Sequence, residues 1–176
     1  LEASGNGSSG RRRRDESPEA RRRRGEAEFL PSFAALQAAV RKACARQTEW
    51  QAKIGVGIRA ALDFAATDPV AAHALTFDAR RQGSRTDNRQ KELVEHFAAE
   101  IAAVAPAEER FQVSTNEGIV ETAAQFVRGH LLAGRATELP RLAPELIHLA
   151  LLPYCGLAEA ERWAESFSLS PSSSGT

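Results

Sequence analysis

The chain has no methionine, two cysteines, two tryptophans, one tyrosine and a formal net charge of zero. With no methionine and a start at Leu1, the expectation is a processed or truncated N-terminus rather than a complete primary translation product. Cys44 and Cys155 are too few and too far apart for a disulfide framework, so a reduced, cytoplasmic setting is expected. No apolar run reaches the roughly 18 residues of a membrane span, and the Ser/Gly/Arg-rich N-terminus lacks the apolar stretch of a secretory signal. No surplus of cations marks the main body: residues 29–176 carry 15 basic and 17 acidic side chains, which argues against a nucleic-acid footprint there. A Gly-rich phosphate loop, a serine nucleophile elbow and an HExxH zinc motif are all missing. With no nucleophile–base set either, an enzyme is not expected.

What remains is a 176-residue chain, 43% hydrophobic, enough for one domain with a core. Alanine is abundant and Val and Thr are not enriched, which favours an all-α fold. Residues 1–28 are low in complexity, with 8 Arg against 6 acidic residues. Too little apolar surface is available to offset ordering entropy, so this segment reads as a disordered Arg/Ser/Gly-rich tail. Its interspersed acids make its two Arg tetrads a solvated charge run rather than a specific site. Residues 29–167 form the expected helical domain, and 168–176 a second polar tail.

Helical periodicity runs through the domain. A helix over 29–46 carries Phe33, Leu36, Val40 and Cys44 on one face, with Pro31 early enough to be harmless. The next, from an N-cap at Thr48 to Thr67, carries Trp50, Ile54, Ile58, Leu62 and Ala65. Gly55 and Gly57 either weaken it or admit a close neighbour. Asp68-Pro69 stops that helix and caps the third, over 69–83. A fourth helix, from about Ser84 to Pro106, carries Leu93, Phe97, Ile101 and Val104. Ser114-x-x-Glu117 has the capping-box pattern and opens a fifth, which Gly134 closes. The sixth runs from Thr137–Pro140 to Gly156, with Pro144 in an early turn or an irregular start, and a short last helix holds Trp163.

The sixth helix is apolar on nearly all sides. Such a helix needs cover on both faces, so residues 114–155 read as a dimerisation hairpin. The expected partner is a second copy of the chain, packed as a four-helix bundle with Leu146, Ile147, Leu149, Leu151 and Pro153 near the two-fold axis. No metal site is expected, because Glu145-x-x-His148 has no second Glu-x-x-His to complete a di-iron set. Asp87, Glu92, Glu95 and His96 read as a solvated helix face, and no cofactor is indicated.

Phe64, His73, Phe77, Phe97, Ile101, Phe126 and His130 fall at helical spacing on mixed apolar and polar faces. They are core or rim groups on one reading. On the other, they line a cavity for a small, mostly apolar effector that the histidines orient.

The run Leu139–Glu161, LPRLAPELIHLALLPYCGLAEAE, resembles the last core helix of many TetR/AcrR-type bacterial transcriptional regulators. There a leucine-rich segment ending in a Pro-Tyr pair precedes a short acidic helix. The order of the upstream pieces agrees: Trp50, then Ile58 to Phe64, then Asp68-Pro69 opening a helix, then a long helix around Glu92–Val104. Covering about 29–165, the resemblance implies a TetR-like C-terminal helical bundle that senses a ligand and dimerises. The family's helix-turn-helix has no counterpart here, since residues 1–28 lack apolar periodicity. No sequence-specific DNA binding by this chain alone is expected. The competing expectation is a helical interaction module that pairs with an intact regulator and binds neither ligand nor DNA.

Overall fold

A computed structural model describes residues 18–77, 85–106 and 113–168. Among them the regular structure is entirely helical: α1 (Pro18–Cys44), α2 (Trp50–Thr67), α3 (Pro69–Phe77), α4 (Arg85–Val104), α5 (Val113–Leu132), a 3-10 helix (Ala136–Leu142), α6 (Ala143–Cys155) and α7 (Leu157–Ser166). No described helix is long and apolar enough to cross a membrane.

Helix α1 begins at Pro18, inside the segment expected to be a disordered tail. The Glu, Ala and Arg residues there are strong helix formers, and Pro18 suits a first turn. Because the helix starts so early, Pro31 sits in its interior and removes one backbone donor. The carbonyl left over belongs to exposed Ala27, where water can replace the lost bond.

Two helix boundaries follow side-chain and backbone chemistry read from sequence. Asp68 Oδ1 accepts the Ala71 backbone N–H at 2.9 Å, so the aspartate caps α3 with Pro69 in its first position. Gly134 has φ +67°, and the Arg135 N–H returns to the His130 carbonyl at 2.8 Å, closing α5. Two others differ. The N-cap of α2 is Glu49 rather than Thr48, without a side-chain cap bond. Helix α5 starts at Val113, so Ser114 lies within its first turn instead of preceding it, and the Ser114 side chain is outside the described residues. A 3-10 turn carries Pro140, and Pro144 follows in the first turn of α6.

The main core is built around α6. Ala143, Leu146, Ile147, Ala150, Leu151 and Tyr154 form a buried stripe at helical spacing, packed with Ile54 and Leu62 of α2, Ile119 of α5, Leu139 and Ala160. A second core joins α1, α3 and α4 through Phe29, Leu36, Leu75 and Leu93. One polar pair lies inside: the Tyr154 hydroxyl donates to Asn116 Oδ1, with Asn116 fully buried. The close approach that the α2 glycines were expected to admit is made by Phe167, whose ring lies where a Cβ on Gly55 would be.

Candidate functional site

The two cores meet along α2 and α3. Between them lies a partly open cavity of about 510 Å³. It is lined by Leu36 and Val40 of α1, Ile58 and Phe64 of α2, Leu75 of α3, Phe97 and Ile101 of α4, Ile119 and Val127 of α5 and Leu149 of α6. Gly57 also faces it. A Cβ there would sit 3.4 Å from Cys44 Sγ and 3.6 Å from Val40 Cγ1, so the glycine keeps this wall thin.

Most of the lining is hydrocarbon; several polar groups lie where α1 turns into α2, and Thr76, Gln125 and Arg128 lie on α3 and α5. Arg41, Cys44, Gln47 and Lys53 are all in the wall, and Glu100 of α4 joins them. The Cys44 thiol donates to the Lys53 carbonyl at 3.3 Å, which draws the first turn of α2 alongside the end of α1. Burial pushes this thiol above its ordinary pKa; Glu100 adds to the rise and Lys53 opposes it. The thiolate is therefore disfavoured, and Cys44 acts as a small, weakly polar wall group.

Three of the seven proposed ligand residues, Phe64, Phe97 and Ile101, line this cavity. His73 is exposed on α3 and outside the lining. Phe126 is 44% exposed, and His130 Nδ1–H donates to the Phe126 carbonyl at 3.0 Å along the outer side of α5. The face of α5 turned to the cavity is instead that of Ile119, Ala123 and Val127. Periodicity put Phe126 and His130 on a common face but could not say which face turned inward. The Phe77 side chain is outside the described residues.

His96 also departs from its expected place on a solvated helix face. It is half-buried, edge-on to Phe33 at 5.4 Å and to Phe97 at 5.2 Å, and 2.9 Å from Gln37 Nε2. Glu92 and Glu95 are exposed, as expected of a solvated face, while the Asp87 side chain is outside the described residues. A Phe33-x-x-x-Gln37 pairing on α1 facing His96-Phe97 was the available signal, but only packing joins the two helices.

The five proposed dimer residues divide. Ile147 and Leu151 are completely buried in the chain's own core, and Leu146 nearly so. Leu149 faces the cavity, and Pro153 is half-buried. Helix α7 packs on α6 through Ala160 and Ala164, while Leu152 of α6 stays 38% exposed. Comparison with protein families, with curated proteins and with solved structures finds no match to this chain.

Proposed function

We propose that this chain is a small-molecule-binding helical module of the kind that senses effectors in TetR-type transcriptional regulators. The observation that carries the reading is the cavity of about 510 Å³ between two packed cores. Its size falls within the roughly 300–1,000 Å³ of ordinary ligand pockets, and its make-up is theirs too: apolar walls with a few convergent polar groups. An apolar cavity of this size forgoes packing contacts that a tightly interdigitated interaction module would keep. That favours ligand sensing over the pure interaction reading.

In this proposal the chain pairs with a second copy through side chains beside the α6 stripe: Leu152, which is 38% exposed, and Phe126 and Leu132 on α5. The described residues include no element assigned to a DNA groove, so operator recognition is not part of the proposal. A competition gel shift at physiological salt should show no preference for intergenic over scrambled duplex.

Filling the cavity tests the main reading. Ala61 and Ala123 both line it. Ala61→Phe and Ala123→Phe should each retain a cooperative thermal transition while abolishing saturable binding of a hydrophobic fluorescent probe. If both variants bind the probe as the unmodified chain does, the cavity is not the binding site.

A further inference from the structure

The polar groups in the cavity wall are unevenly signed. Among the described lining residues there are three cations, Arg41, Lys53 and Arg128, and one carboxylate, Glu100. Arg128 is already engaged in another contact, so the charges left in the wall are Arg41 and Lys53 against Glu100, a surplus of one positive charge beside hydrocarbon. Arg41, which is exposed, and Lys53, which is half-buried, border the cavity near the point where the Cys44 thiol meets the Lys53 carbonyl. Neither makes an ion pair among the described residues. The carboxylate of Glu100 lies near Cys44 at this same end, 3.7 Å from His96 Nε2, an ion pair only when that ring is protonated.

Cations that border an apolar cavity and have no anionic partner favour a ligand whose polar end is an anion. An ammonium or guanidinium makes its strongest hydrogen bonds to a carboxylate or phosphate, and more so beside low-dielectric walls. The opposite end of the cavity, around Phe64, Leu75 and Leu93, is hydrocarbon. We propose that the cavity takes an amphipathic alkyl carboxylate, with its head group at Arg41 and Lys53 and its tail between α2, α3 and α4. The assignment rests on the ligand-binding reading above and sharpens it to a chemical class. It also gives a role to Gln47, whose side chain amide at the same end can donate to the second carboxylate oxygen.

The test compares three probes of equal tail length, dodecanoate, dodecanol and dodecylamine, below their micelle concentrations. Calorimetric titration into the full chain should rank dodecanoate first, dodecanol about tenfold weaker and dodecylamine weakest, the size expected for a charge-assisted bond. In the Arg41→Gln/Lys53→Gln variant, dodecanoate should weaken by about tenfold or more to the level of dodecanol. Dodecanol binding should be unchanged, which also reports that the variant is folded. Equal binding of all three probes, or equal losses for acid and alcohol in the variant, would overturn the carboxylate assignment and leave the cavity reading standing. Failure of all three to bind would overturn both.

Discussion

The buried pair Tyr154–Asn116 offers the sharpest test of the core. Asn116 is fully buried in the first turn of α5, and its Oδ1 accepts the Tyr154 hydroxyl from α6. Its Nδ2 has no hydrogen-bond partner among the described residues. The pair therefore joins two helices at the cost of one unsatisfied amide donor. Tyr154→Phe removes the hydroxyl and strands the whole amide inside the core, which should destabilise by about 1–3 kcal/mol. Asn116→Leu removes the acceptor but also the unpartnered donor, so its cost should be smaller. In the double variant neither amide nor hydroxyl remains, and replacing both partners by apolar groups of similar shape is close to neutral. The cycle should therefore be non-additive by about 1–2 kcal/mol, within the range found for residues in contact. Urea unfolding followed by tryptophan fluorescence measures it locally, because the Trp50 ring lies 5.7 Å from Tyr154, edge-on. If the two single effects add, the side chains are not coupled and the account of this junction fails.

Other outcomes follow from the same packing. A Cβ on Gly55 would come within 2.5 Å of the Phe167 ring, so Gly55→Ala should cost about 1–3 kcal/mol of overpacking in the unmodified chain. Placed in a Phe167→Ala background, the same change should instead stabilise α2 by about 0.5–1 kcal/mol through helix propensity, giving opposite shifts in denaturant midpoint. Leu151→Glu should abolish the cooperative fold by circular dichroism, because that side chain is completely buried, whereas Leu152→Glu should stay folded and show its effect in sedimentation. A folded, monomeric Leu151→Glu protein would return that residue to a dimer seam. Burial raises the pKa of both the Tyr154 phenol and the Cys44 thiol, so each is favoured in its protonated form when folded. The stability this confers is complete below the unfolded values, about 8.5 for a thiol and 10 for a phenol, and is lost as pH rises through the folded ones. Alkaline denaturation should accordingly be less steep in Tyr154→Phe and Cys44→Ala than in the unmodified chain.

Local chemistry was legible in the chain of letters because it acts over a few residues. Alanine content and apolar periodicity determined the all-α class, and the Asp68-Pro69 cap and the Gly134 turn marked helix ends that the structure shares. The glycines of α2 announced a close neighbour without naming it. Tertiary structure decided which apolar faces met. Periodicity made α6 apolar on two sides but could not say which of its residues the chain's own core would take: Ile147 and Leu151 are buried in it, while Leu149 faces the cavity and Leu152 is exposed. It placed Phe64, Phe97 and Phe126 on helical faces alike, yet rotation of each helix about its axis turned the first two to the cavity and the third to solvent. The cationic end was invisible for the same reason. Arg41, Lys53 and Glu100 lie on three different helices, and only the packing of α1, α2 and α4 makes them neighbours.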